Sequence, residues 1–449
     1  MGAYRADRTR TLQRVVINHK EIDSMRRILP LMWVMCVLAI GGAFSQPDTI
    51  RIAVQEAEQQ FLQRNLQLVA ARFNIDAARA AVSQAGLWNN PNLSVEQNIH
   101  NQYTGRWFDV SASGNSGVQI QQLLLLAGKR GKQVRLAEID AENAGNDFYD
   151  VMRALKLKLR TDLYDLYYLH QSLGFYDESI TTLSKTVTVT EGVYERRSIL
   201  LAELLRLKSL LFSLQNERLG LLGKVADIES SLRVLLRDTA GVRKIYIPKI
   251  NAERLEMFRP DSLRYADVAA AALANRPDLR KANGTVLREE ANLEYQKSLA
   301  TPDLTVGGLW SRAGSYIPDY YALTFSIDLP LFNRNQGNID VSARTLEADR
   351  AVHDNYRASV LEEVAAALRR ASDLERLYRS FDRRFPLQYR ELVDGMIANY
   401  QKRNMSVIEF TDFIESYRTS MLQMNQLGND RADAMEMLNY VTGTDLFQP

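Results

Sequence analysis

Tyr321-Ala322-Leu323-Thr324-Phe325-Ser326-Ile327-Asp328-Leu329 alternates without a slip: Tyr321, Leu323, Phe325, Ile327 and Leu329 point one way, Ala322, Thr324, Ser326 and Asp328 the other. A period of two over roughly ten residues is that of a β-strand with one apolar face, the length and pattern of a transmembrane barrel strand. Three further runs repeat it. Pro91 to His100 places Leu93, Val95 and Ile99 opposite Ser94, Glu96, Asn98 and His100; Val118-Gln119-Ile120-Gln121 follows a Gly/Ser/Asn-rich loop; and Asp303-Leu304-Thr305-Val306 opens the strand before the first. Aromatic residues gather at the ends and loops of these runs: Trp88, Tyr103, Trp107, Phe108, Trp310, Tyr316, Tyr320 and Tyr321. In an exported protein that placement suggests interfacial girdles. A small sheet in a soluble protein has the same period, and alternation alone leaves that reading open.

Around the strands lie long helical patterns. Residues 132–237 and 331–384 contain no proline, and leucines recur at heptad-like spacing through Leu155, Leu159, Leu163, Leu166 and Leu169, then Leu204, Leu207, Leu211 and Leu214. Such sustained periodicity marks long packed helices, as a coiled coil or an ordinary bundle. From Arg130 to about Arg196, and from Asn338 to about Lys402, each pattern could run for roughly 65 residues, or ~100 Å of helix.

Composition narrows the function. The chain has 449 residues, 56 Lys+Arg against 54 Asp+Glu, one Cys and four His. The balance of charge lacks the basic excess of a nucleic-acid binder. One Cys excludes an internal disulfide framework, and four scattered His argue against a multi-His metal site. No Ser-His-Asp order, metal-ligand cluster or phosphate-binding loop is present, and Gly128-Lys129-Arg130-Gly131 lacks the Walker spacing. We therefore expect no enzyme, no cofactor and no resident metal. Met25-Arg26-Arg27, the apolar run Ile28 to Ile40, and the small residues Gly41-Gly42-Ala43-Phe44-Ser45 describe a secretory signal peptide. Its apolar core is shorter than the ~20 residues of a membrane span. Met35 before Cys36 lacks the small side chain that lipoprotein cleavage needs, so no lipid anchor is expected.

The chain also repeats itself. Leu123-Leu124-Leu125-Leu126-Ala127-Gly128-Lys129-Arg130-Gly131 corresponds to Leu329-Pro330-Leu331-Phe332-Asn333-Arg334-Asn335-Gln336-Gly337, and Tyr194-Glu195-Arg196-Arg197 to Tyr400-Gln401-Lys402-Arg403. The expected organisation is an extension (1–24), a signal peptide (25–45), a first repeat of helix, hairpin and long helix pair (46–237), a linker (238–262), a second repeat (263–443) and a tail (444–449). Two hairpins give four strands per chain, below the usual minimum of about eight for a barrel. A spanning sheet must close, because an open edge in lipid leaves backbone groups unpaired. Strands in a membrane would thus require a barrel shared between at least two copies, continued by a helical tube.

These features resemble the TolC-like outer-membrane efflux factors over essentially the whole mature chain. The wording is most similar to the cation-efflux (Czc/Cus-type) branch, through Gln84-Ala85-Gly86-Leu87-Trp88-Asn89-Asn90-Pro91-Asn92-Leu93, Leu126-Ala127-Gly128-Lys129-Arg130, Ala274-Asn275-Arg276-Pro277-Asp278-Leu279 and Pro330-Leu331-Phe332-Asn333-Arg334-Asn335-Gln336-Gly337. The resemblance implies a mixed α+β chain, mostly long α-helices, that trimerises into a twelve-stranded transmembrane β-barrel continued by a periplasmic α-helical barrel. It implies a location in the outer membrane, contact with its lipid, and docking to a periplasmic adaptor and an inner-membrane pump of the resistance–nodulation–division (RND) type. It also implies an acidic constriction at the pore entrance, which falls here on Glu203, Tyr400, Glu409 and Asp412, and adaptor-docking turns at Arg197-Ser198 and Arg403-Asn404. Two departures stand out: Arg197 and Arg403 occupy positions where many relatives have Gly, and Met405 stands where a gate-locking Arg is expected.

The implied function is passive conduction of substrate, heavy-metal cations by the resemblance, from adaptor and pump to the exterior. Drugs or other small molecules through the same duct form the first alternative, and a soluble periplasmic coiled-coil adaptor or scaffold the second. Glu96, His100 and Asp328 read as polar lining of the lumen, since tight metal ligation would oppose passage.

Overall fold

A computed structural model describes residues 49–238, 245–313, 317–381 and 385–447. The extension and signal peptide expected over 1–45 lie outside the described residues. The chain divides into two compact units: Met1–Ile50 with Ala240–Ile245, and Arg51–Thr239 with Tyr246–Pro449. Of the first, only Thr49, Ile50 and Ile245 are described. The second is the architecture considered below.

In chain order the elements are β1 (Thr49–Ala53), α1 (Val54–Arg64), α2 (Leu66–Ala85), β2 (Asn92–Gln97), β3 (Ser116–Leu124), α3 (Lys129–Glu195), α4 (Leu201–Leu235) and β4 (Ile245–Lys249). The short α5 (Ala252–Glu256) and a 3₁₀ turn at Pro260–Ser262 lead to α6 (Tyr265–Asn275), α7 (Pro277–Leu299), β5 (Leu304–Ala313), β6 (Pro318–Ile327), α8 (Gln336–Ser380), α9 (Phe385–Gln401) and α10 (Val407–Thr442). The order helix, hairpin, long helix, returning helix thus occurs twice.

The four alternating runs form one antiparallel sheet in the order β2-β3-β5-β6, so β3 and β5 join the repeats. Its register aligns the apolar positions across all four strands. Leu93 stands opposite Ile120, Ile120 opposite Gly308 and Gly308 opposite Leu323; Val95, Val118, Trp310 and Tyr321 form the next such row. Directly opposed residues share a face, so these rows build one continuous apolar surface. It is open: Val95 is 71% exposed, Leu323 77% and Phe325 68%. The other face carries Asn92, Gln121, Gly307 and Thr324 in one row and Ser94, Gln119, Leu309 and Ala322 in another.

The two faces also differ in crowding. A Cβ at Gly307, on the polar face, would stand 2.7 Å from Thr324 Oγ1 and 2.8 Å from the Ile120 carbonyl; at Gly308, on the apolar face, it would meet nothing within 4 Å. At this row of the sheet the polar face is crowded and the apolar face is open.

Below the sheet, α3 runs unbroken for 67 residues, ~100 Å at 1.5 Å per residue. Gly128 enters it with φ 70. Lys129 is buried and its Nζ donates to Asp303 Oδ1 at 2.7 Å and to the Thr301 carbonyl at 2.6 Å, tying the start of α3 to the start of β5. The second long helix departs from the expected single rod. It ends at Ser380, where Phe381 turns extended (φ −82, ψ 135), and α9 begins at Phe385. Pro386, in the first turn of α9, accounts for the break: proline lacks the N–H that a helix interior uses and is tolerated in a first turn.

Two cores hold the helices together. One packs Tyr164, Phe258, Val268, Val364, Met435 and Leu438, drawing both repeats and the segment after β4 together; the other packs Tyr176, Leu183, Leu207, Leu214, Phe410 and Ile414 toward the turns. Asn65 accepts from the Gln67 and Leu68 N–H groups at the start of α2 and donates to the Leu235 carbonyl at the end of α4. Some of the ion pairs between the repeats are buried. Arg160 reaches Glu58, Glu436 (2.8 Å) and Asp445 (3.0 Å). Burial alone would raise the Asp278 carboxyl, but Arg276 and Arg153 hold it well below the carboxylate range.

The crowding on the sheet makes Gly307→Val and Gly308→Val a paired test. We expect the first to lose about 2 kcal/mol and the second to stay near wild type, read by denaturant unfolding in detergent.

Candidate gate and docking turns

Both long helices end in the same hydrogen-bonded turn. After α3, the Arg197 N–H donates to the Tyr194 carbonyl at 2.7 Å and the Ser198 N–H to Val193 at 3.2 Å; after α9, Arg403 donates to Tyr400 and Asn404 to Asn399, each at 2.9 Å. These are paired 6→1 and 5→2 bonds, a Schellman cap, which places its C′ residue in the left-handed region. That residue is Arg197 (φ 58) in one turn and Arg403 (φ 63) in the other. Glycine occupies such a position without steric cost, which is the reason for glycine where these arginines stand.

The turns meet over a cleft of about 560 Å³, lined among others by Val189, Thr190, Val193, Ser198, Glu203, Arg206, Tyr400, Arg403 and Met405. Four of the sequence-derived residues, Ser198, Glu203, Tyr400 and Arg403, are therefore brought to one place. Arg197 and Asn404 stand exposed at the turns, and Glu409 and Asp412 lie outside the cleft lining. The Tyr400 ring stacks on Phe410 at 4.8 Å, with 20° between planes. Burial raises the Tyr400 phenol, against a hydrogen bond from Thr190 and with a further push from Glu203. Met405, at the expected gate-lock position, lines the cleft as an apolar contact, while Arg206 donates to Thr411 Oγ1 at 3.2 Å.

Glu409 has a local task that the acidic-ring reading did not include. Its Oε2 accepts from the Ser406 N–H at 2.8 Å and the Ser406 hydroxyl at 2.9 Å, while its own N–H donates to Ser406 Oγ at 3.2 Å. This reciprocal capping box starts α10. Its bonds to Ser406, backbone first and hydroxyl second, lower the Glu409 carboxyl. Ser406-Val407-Ile408-Glu409 is the S-x-x-E signature of such a cap, so the signal was present in the sequence. Asp412 stays exposed one turn further on.

At the other end of the molecule, Glu96 belongs to the polar sheet face, opposite Gly117. His100 lies beyond the strand, bridged to Trp107 with ring centroids 5.0 Å apart. Among the described residues no group of three His, Cys, Asp or Glu is placed to hold a metal ion, and no helix is long and apolar enough to cross a membrane.

One sheet with an exposed apolar face, joined to a helix of 67 residues in the first repeat and to two successive helices in the second, is the fold of outer-membrane efflux channels. Residues 57–236 match the family model described as "Outer membrane efflux protein". Among solved structures, CusC aligns with a TM-score of 0.69 at 16% identity, covering 90% of this chain and 95% of that one. The CmeC outer membrane channel of Campylobacter jejuni aligns at 0.72 and 13% identity over 87% of this chain and 85% of that one. VceC of Vibrio cholerae aligns at 0.68 and 16% identity, over 87% and 96%. No curated protein matches the chain. The resemblance to TolC-like efflux factors thus holds in sequence pattern over 57–236 and in fold over nearly the whole chain.

Because Arg197 and Arg403 carry a left-handed backbone, Arg197→Gly and Arg403→Gly should each stabilise the protein by about 1 kcal/mol, measured as a shift in thermal unfolding with secondary structure unchanged.

Proposed function

We propose that the protein is an outer-membrane channel of a tripartite efflux system, a homotrimer that conducts substrate passively from a periplasmic adaptor and an inner-membrane pump to the exterior. The observation that carries this reading is the continuous exposed apolar face across β2, β3, β5 and β6. A surface of that extent on a soluble monomer is a liability; against lipid it is the outer wall of a barrel. The edges β2 and β6 supply the backbone groups that neighbouring copies pair, and three copies give the twelve strands of the expected barrel. The family match over 57–236 and the likeness to the CmeC channel support the same assignment.

In this reading α3, α4 and α8–α10 form the periplasmic tube. The turns at Arg197-Ser198 and Arg403-Asn404 meet the adaptor, and Glu203, Tyr400, Glu409 and Asp412 lie about the pore entrance, Glu409 also serving as a cap. The domain boundaries follow the repeat: 46–237, linker 238–262, and 263–443 with its tail. The pump is of the RND type. Heavy-metal cations are the cargo favoured by the cation-branch wording of the sequence, with drugs and other small molecules as the competing cargo.

Purified detergent-solubilised protein should run as a trimer by native mass spectrometry and give discrete conductance steps in planar bilayers. A monomer recovered from aqueous extracts without detergent, or bilayers that stay silent, overturns the channel reading. Arg197→Glu with Arg403→Glu should weaken adaptor binding at least tenfold with the trimer intact. A deletion strain that becomes sensitive to zinc, cobalt, copper or silver identifies a metal cargo; sensitivity to drugs alone identifies the alternative.

A further inference from the structure

The helices α3 and α10 approach one another closely at Gly428, where an added Cβ would stand 2.6 Å from the Tyr168 ring. At this contact the side chains are acidic and short of donors. Asn429, 8% exposed, donates its Nδ2 to Asp165 Oδ1 at 2.5 Å, which aims the amide across the gap from α10 to α3; its own Oδ1 has no partner. Asp433 is one helical turn further along the same face of α10, and its Oδ1 is likewise shielded from solvent and unpartnered. Two buried oxygens in a row without a donor is a costly arrangement. Asp430 does not relieve it, since its carboxylate accepts from Gln426 at 2.9 Å.

We propose that Asp433, Asn429 and Asp165 form a proton-binding site that fastens α10 to α3, the proton residing on the Asp433 carboxyl. The step is a simple uptake from solvent: an O–H bond forms on Asp433, its negative charge is neutralised, and the new hydroxyl supplies the donor that this face of α10 lacks. The site is distinct from the cleft at the turns, and its protonation is measurable whether or not the channel reading holds.

The electrostatics agree. Burial is the largest influence on Asp433, followed by Asp165 of α3 and Asp430 of α10; Arg370 of α8 opposes them, and Glu436 of α10 adds to them. Together they push the carboxyl from 3.8 up to about 7. The folded protein then holds a proton that the unfolded chain has already released, so stability falls as pH rises through the window from 3.8 to about 7, and is flat above it. At higher pH the Asp433 carboxylate and Asp165 of α3 repel one another, which loosens the α3–α10 contact.

Isotope-edited infrared spectroscopy of the full chain in detergent, with carboxyl-labelled aspartate, reads the proton directly. A protonated aspartate band present at pH ~5 should fade with a midpoint near pH ~7, and Asp433→Asn should remove it. Wild-type unfolding temperature should drop between pH ~5 and ~7, and the drop should shrink in Asp433→Asn, which keeps the shape and removes the charge. Loss of the band with a midpoint near pH ~4, or a band unaffected by Asp433→Asn, overturns the proposal.

Discussion

A backbone amide in hydrocarbon must be paired, and that constraint governs the whole molecule. The four strands are satisfied between β2 and β3, β3 and β5, and β5 and β6, which leaves one side of β2 and one side of β6 to be matched from outside the chain. The exposed apolar face fixes which environment those edges occupy. Water would penalise the face, and lipid would penalise the edges; only closure with further copies satisfies both. The fold is therefore part of a larger object, and the extended shape of α3 makes sense as a stave in a tube rather than as a self-contained domain.

Such staves need stiffness without a wide hydrophobic centre. Buried ion pairs between helices provide it at intervals. Arg160 with Glu58, Glu436 and Asp445 ties α3 to α1, to α10 and to the C-terminal segment, and Arg431 with Glu375 ties α10 to α8. Pairs of this kind add little net stability over apolar packing, but each is expensive to break, so they hold register between long helices that could otherwise slide by a turn. Asp433 differs from them: among the described residues it makes no ion pair and its Oδ1 is unpartnered, and that is why a proton is the natural partner for it.

How much of this was legible beforehand follows from the range of the interactions. Strand alternation and the length of α3 are local, and the four runs and the 67-residue helix were readable from residue order alone. The break before α9 is also written locally, in Pro386, which the expected helix from Asn338 to about Lys402 runs through. Glu409 is legible too, as the end of an S-x-x-E cap, alongside the charge that the expected acidic constriction uses. The alignment of Leu93, Ile120, Gly308 and Leu323 in one row was not legible, because register across β3 and β5 depends on how two distant repeats meet. Nor was the isolation of Asp433, which requires Gly428 to bring α10 against Tyr168.

The repeats follow one plan and differ in the continuity of the long helix. Gly131 and Gly337 precede Tyr194 and Tyr400 by the same number of residues, so the break in the second long helix is not an insertion; it is a substitution of local chemistry, Pro386 where the first repeat has Ile180. In α3 the corresponding stretch continues as helix, and Phe175 there packs against Tyr417 of α10 at 5.2 Å. A continuous rod transmits bending along its length, whereas a chain of two helices transmits it only through what each packs against. For α9 that support includes α10, reached through Val393 and Ile397, and through Tyr400 stacked on Phe410. The two turns at the far end therefore share one hydrogen-bonded shape, one at the end of a single 67-residue helix and the other at the end of the shorter α9.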